Sequence, residues 1–113
     1  MTYKLRPATA EDFAALGGKP LPFRARAKTA EIGGQVVGVG GVGHLEDGSV
    51  VAFARLTDEF RRKPIALHKA GLAVLRDAKA RGVKQIIATA DPTVPRAPAW
   101  LVRLGFAPLQ KPD

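Results

Sequence analysis

The feature that most limits what this chain can become is a run of valine and glycine, Gln35–Gly43, held between two turn signals. Gly33-Gly34 precedes the run, a pair suited to the positive backbone angles of a two-residue hairpin loop. Glu46-Asp47-Gly48 follows it and reads as a second turn. Val36, Val37, Val39 and Val42 favour a strand, and the interleaved glycines suit a strand against which something packs closely. The pattern is extended on both sides. Ala25, Ala27, Thr29 and Glu31 lie in the run from Arg24, and Val50, Val51 and Phe53 lie in Ser49–Leu56. Three strands joined by tight turns predict an antiparallel meander.

Helices flank this meander. Tyr3–Arg6 reads as a short first strand stopped by Pro7. Thr9 then caps a short helix with Glu11 and Asp12 in its first turn, and Gly17-Gly18 ends it. Lys19–Phe23 carries two prolines and is expected to be loop. After the meander, Thr57, Asp58 and Glu59 open the longest helix, with Pro64 compatible with an early helical position. Leu67, His68, Gly71, Leu72, Leu75 and Ala78 form its buried stripe, and Arg62, Lys69 and Arg76 fall on a wet face. Gly82 ends that helix. Val83–Ala90 has the composition of a buried strand, and Asp91–Pro98 is a loop with three prolines. A last helix runs through Trp100, Leu101, Val102 and Leu104 to Gly105, followed by a short strand, Phe106–Leu109, and a mobile tail, Gln110–Asp113. The order predicts one α/β domain over residues 1–113, with a mixed, mostly antiparallel sheet, one long central helix and two short ones.

Composition narrows the chemistry. The 113 residues are 46% hydrophobic, enough for one core without a disulfide or metal. No cysteine is present, which excludes thiol catalysis, disulfide scaffolds and cysteine zinc sites. Two histidines, His44 and His68, cannot make a metal site alone. The longest apolar stretch, Gly33–Gly43, is too short to span a bilayer, and the N-terminus lacks the apolar core of a signal peptide. No membrane partner is expected. Eighteen Lys and Arg against ten Asp and Glu give a net charge of +8. Such a surface favours polyanions or an acidic protein. Arg24, Arg26 and Lys28 cluster at alternate positions, and Arg61, Arg62 and Lys63 are contiguous. Aromatic residues are only 6%, a poor supply for stacking bases, so a basic partner patch is favoured over dedicated nucleic-acid binding.

The chain resembles the GNAT superfamily, the acetyl-CoA-dependent N-acetyltransferases. Four segments carry the resemblance: YKLRPATAEDFAAL to the opening strand and helix, EIGGQVVGVGGV to the central hairpin, RLTDEFRRKPIALHKAGLAVLRDAKARGV to the coenzyme-binding strand, loop and helix, and IIATADPTVPRAPAWLVRLGFAPL to the penultimate strand, helix and terminal Gly-Phe. Together they cover Tyr3 to Leu109. In that family, backbone N–H groups at the start of the long helix cradle the coenzyme pyrophosphate. The resemblance therefore implies a cofactor-binding set of Leu56, Arg61, Arg62, Lys63, Ile65 and Ala66. Arg61 and Ala66 fit the family pattern of Arg or Gln, two residues, Gly, one residue, Gly or Ala. Pro64 stands where the first glycine belongs, and proline has no N–H to donate.

Other departures agree. The tyrosine that many members use as general acid is replaced by Leu101, and an asparagine position is held by Val94. Val50–Leu56 has no acid to serve as general base; Asp58 and Glu59 come later and suit a helix cap. The segment before the second strand is short where a second helix usually helps form the acceptor site. The chain is similar in these respects to small GNAT-like proteins of tailed bacteriophages, some built into the virion. That similarity implies a structural or interaction component docked on other protein subunits, in a virion or host cytoplasm, with no cofactor expected. The alternative is an active N-acetyltransferase holding acetyl-CoA over Leu56 and the helix start, with direct attack by an acceptor amine. No catalytic residue is assigned.

Several residues allow two readings. His68 is a catalytic base or, more in keeping with its apolar stripe, a core or boundary histidine; His44 reads as exposed loop. Asp91 is a ligand contact at a strand end or the start of an Asp-Pro turn. Trp100 is an interface anchor or core. Gly38, Gly40, Gly41 and Gly43 admit a ligand or let the long helix pack closely. Arg61–Lys63 is an anion site or a solvated charge cluster at a helix start.

Overall fold

The computed structural model describes residues 3–16, 24–88 and 97–107. The meander forms as expected. Strands β1 (Lys4–Pro7), β2 (Arg24–Ile32), β3 (Gln35–His44) and β4 (Val50–Leu56) make a four-stranded antiparallel sheet in the order β1-β2-β3-β4. Gly33 (φ 59°) and Gly34 (φ 81°) supply the left-handed backbone of the β2–β3 turn. The helices are α1 (Ala10–Ala15), α2 (Asp58–Arg61), α3 (Pro64–Ala80) and α4 (Ala97–Arg103).

The two faces of the sheet separate the helices. Ala30 packs with Val37, Phe60 and Ala70, so its face carries α2 and α3. Thr29, the neighbouring residue, donates its hydroxyl to Asp12 of α1 at 2.8 Å. Adjacent strand residues point to opposite faces, so α1 covers the other side. On that side Phe13 of α1 meets Phe53 (ring centroids 6.1 Å apart), and the Arg55 guanidinium sits 5.7 Å over the Phe13 ring.

The glycines of β3 work differently from the expectation that they admit the long helix. A side chain at Gly38 would meet Leu56 Cδ2 and Phe60 Cδ2, each at 3.1 Å. At Gly41 a Cβ would run into the Arg26 carbonyl oxygen and lie 2.6 Å from Ala27 Cα. The close approach at Gly41 is strand against strand, and backbone cannot give way. Gly41→Ala is expected to cost about 2–3 kcal/mol. Gly40→Ala, whose nearest contact is an ordinary 3.6 Å, should stay within about 1 kcal/mol. Urea unfolding of both variants tests the contrast, and equal losses would refute it.

The long helix is shorter than its sequence pattern. Thr57, Asp58 and Glu59 open not α3 but a separate turn, α2, in which the Thr57 hydroxyl accepts the Phe60 N–H. Pro64 sits at the first turn of α3 and breaks the run. Its ring would clash with the carbonyl four residues earlier, and the Phe60 carbonyl accepts the Lys63 N–H instead, at 3.0 Å. Lys69 and Arg76 are exposed as expected, whereas the fully buried α3 residues are Ala70 and Ala78. Leu67, His68, Gly71, Leu72 and Leu75 are half-buried.

Val83–Ala90 is not a regular strand where it is described. Its one bridge is parallel, Val51 to Ile87: Ile87 N–H donates to Val50 O and Ala52 N–H to Ile87 O, both at 2.8 Å. In that register Lys84 and Gln85 run beside Gly48 and Ser49, which belong to the preceding turn and offer no ladder. Ile87 is consequently exposed rather than buried. The end of α1 at Gly17-Gly18, the Lys19–Phe23 loop, Asp91, Val94 and the tail Gln110–Asp113 lie outside the described residues. Pro98 belongs to α4 rather than to the preceding loop. Of the expected last strand, Phe106 and Ala107 are irregular and the rest lies outside the described residues.

Candidate functional site

The six residues expected to hold a cofactor gather around one junction, the passage from β4 through α2 into α3. They do not all face outward. Leu56 and Ala66 turn inward and pack on the core around Phe60, together with Tyr3, Leu5, Ile32 and Leu67. Arg61, Arg62 and Ile65 are exposed, Ile65 to 73%, and Lys63 is half-buried. Arg61 reaches Asp58 at 3.8 Å, a loose pair between exposed side chains that adds little order.

The backbone decides what the junction can bind. A diphosphate cradle needs consecutive N–H groups without internal acceptors. Here the Arg61 N–H donates to Thr57 O at 3.1 Å, and the Arg62 N–H is shared between Asp58 O and Glu59 O, each at 3.3 Å. Lys63 N–H donates to Phe60 O, and Pro64 has none. The first intrahelical bond of α3 is Leu67 N–H to Lys63 O, at 2.9 Å. Two amides of the six-residue register, Ile65 and Ala66, precede it. The residues present therefore make a poor match to a coenzyme pyrophosphate.

His68 lies half-buried on α3, and its Nδ1 is buried without a hydrogen-bond partner among the described residues. Trp100 packs toward Gly71: a Cβ there would lie 3.3 Å from Trp100 Cζ2 and 3.1 Å from Leu104 Cδ2. Its position is the α3–α4 contact. His44 is exposed at the end of β3. Leu101 lies on α4 and carries no proton to transfer. Among the described residues, no group of three His, Cys, Asp or Glu could hold a metal.

The strongest electrostatic cluster was not expected. Asp12 is 4% exposed and receives four hydrogen bonds: Arg6 Nη1 and Nη2, each at 2.7 Å, Thr9 N–H at 2.7 Å and Thr29 Oγ1 at 2.8 Å. Arg6 also donates from Nε to Glu31 at 2.6 Å. The Arg6 guanidinium, with the Thr9 and Thr29 donors, holds the Asp12 carboxyl well below the usual carboxylate range, against the opposing effect of burial. Such a carboxylate takes no proton near neutrality and is not a general base. The sequence signal was partial. Thr9 and Asp12 have capping-box spacing, but Arg6 joins them only because β1 and β2 pair Arg6 opposite Thr29. At the other end of the sheet, the Ser49 backbone and side chain pull the exposed Asp47 carboxyl down by hydrogen bonding.

Two concave surfaces among the described residues lie away from the junction. One, of about 400 Å³, is bounded by Gly48–Val50 and Arg81–Gln85. The other, of about 480 Å³, lies between β2–β3 and the last turns of α3. What fold and site define together is a small mixed α/β domain with a basic surface and a buried acid–arginine anchor. No known protein-family model matches the sequence, and no curated protein matches it.

Proposed function

We propose that this chain is a GNAT-like domain with a degenerate coenzyme site that acts without catalysis, as an interaction component docked on other protein subunits, most in keeping with the particle of a tailed bacteriophage. One observation carries the reading: across Arg61–Pro64 every backbone position is either bonded inside α2 or, at Pro64, has no N–H. The element order supports the scaffold. An opening strand and helix, a three-strand meander, a long helix and a parallel contact from Ile87 back to β4 follow the order that the resemblance implies. The outer strand β1 and the exposed Ile65 and Val102 supply surface for a partner subunit. No helix among the described residues is long and apolar enough to cross a membrane.

Calorimetric titration with acetyl-CoA and with coenzyme A tests the reading. The expected result is no saturable heat, with any affinity weaker than about 1 mM. One-to-one binding at about 10 µM or tighter would overturn it in favour of an active N-acetyltransferase. A thiol-release assay across small amines and protein amines should correspondingly show no turnover.

A further inference from the structure

The groove of about 480 Å³ gathers cations that are far apart in sequence. One wall is β2. Arg26 and Lys28 alternate with Ala30, so all three address the face that carries α3. The opposite wall is the end of α3, where Arg81 follows Asp77 by one turn. Val74 contributes apolar surface over the buried Val42, and His44 lies at the rim. Asp77 is the one acid lining the groove among the described residues, and Arg81 Nε already donates to it at 3.0 Å.

We infer that this groove binds the phosphate backbone of a nucleic acid without reading its sequence. Three properties of the lining select that ligand. Alternate strand residues stand about 6.7 Å apart, close to the step between successive phosphates on an extended strand. Arginine and lysine side chains are donors only, and phosphodiesters present acceptors only, so the two match without an orphaned group. An acidic peptide matches less well: its backbone N–H groups need acceptors, and the groove's carboxylate is taken by Arg81. The apolar patch suits sugar edges. No Phe, Tyr or Trp lines the groove among the described residues, so bases have no platform on which to be read. The inference is independent of the coenzyme reading, since it uses none of the Leu56–Ala66 residues.

The test is fluorescence anisotropy with a labelled oligothymidine of about 20 nucleotides, titrated with the full chain from about 50 to 200 mM salt. Binding should weaken steeply over that range. The double variant Arg26→Gln/Lys28→Gln should weaken binding about tenfold or more and flatten the salt slope by about 1.4. Lys69→Gln/Arg76→Gln removes the same charge from the exposed face of α3 and should change affinity less than about threefold. Arg81→Gln tests the helix wall separately and should flatten the slope by about 0.7, which also decides the matter if the β2 variant fails to fold. Equal losses in the two double variants would overturn the inference, because net charge alone would then explain binding. Absence of binding at the lowest salt would overturn it too. Equally strong displacement by an oligoglutamate of the same charge would assign the groove to an acidic protein segment instead.

Discussion

Phe60→Ala is expected to remove about 4 kcal/mol of stability. Phe60 is 1% exposed and the largest fully buried side chain among the described residues. Its ring lies 6.1 Å from that of Tyr3, occupies the space a side chain at Gly38 would need, and closes the cluster of Ala30, Val37 and Ala70. The residues around it come from β1, β2, β3, β4 and α3, so no single element can move inward to fill the void. Domains of this size hold about 5–15 kcal/mol in all, so the variant should be marginal. Urea unfolding should show a much lower midpoint with little change in slope. Phe60→Leu, which keeps most of the volume, should lose about 1–2 kcal/mol. If Phe60→Ala loses less than about 1 kcal/mol, α2 does not act as a clamp that fixes the start of α3 on the core.

That clamp also explains the candidate site. Burying Phe60 requires the chain to turn immediately after β4, and the turn uses the amides of Arg61, Arg62 and Lys63 internally. Pro64 then begins α3 afresh. One feature of packing and one residue type thus remove the same group of donors. A glycine placed at position 64 would supply one amide but leave the α2 bonds in place.

The sequence made the sheet legible because strand signals there are local. Gly33-Gly34 and Glu46-Asp47-Gly48 set the turns, and valine-rich runs marked the strands beside them. It exposed the end of α3 equally well, since Gly82 acts through a backbone constraint that needs no tertiary context. It overstated the helix start. Thr57 caps a helix, as its type suggests, but periodicity does not tell one turn from five. It also overstated Val83–Ala90, whose Val and Ile content signals a strand although its pairing depends on where β4 begins. The cations of β2 were visible as an alternating cluster, Arg24, Arg26 and Lys28; the approach of Arg81 to Arg26 and Lys28 around one groove needed the packing of α3 on the sheet.

Asp12 was visible only as a helix-capping acid, and its removal tests how much more it does. Asp12→Ala should cost about 3 kcal/mol. The loss has separate parts: Arg6 would keep its charge with Glu31 as its remaining carboxylate partner, the Thr29 hydroxyl would lose its acceptor in a fully buried position, and the Thr9 N–H would lose the capping box. Asp12→Asn keeps the shape but leaves the guanidinium facing a neutral amide, one of whose groups is a donor, so it should fall between wild type and alanine. The acid limb gives an independent readout. The native carboxyl is held below its ordinary range, and an unfolded aspartate titrates near pH 3.9. As the pH falls through that value the unfolded chain binds a proton that the native state refuses, so this contribution is complete above about pH 5 and declines as the pH falls further. Wild type should therefore lose stability steeply below about pH 4, and Asp12→Ala should show a flatter decline over the same interval. Parallel acid limbs in the two proteins would mean that the buried ion pair contributes no more than the surface acids, and the anchor joining α1 to the β1–β2 ladder would have to be sought in the Phe13–Phe53 contact instead.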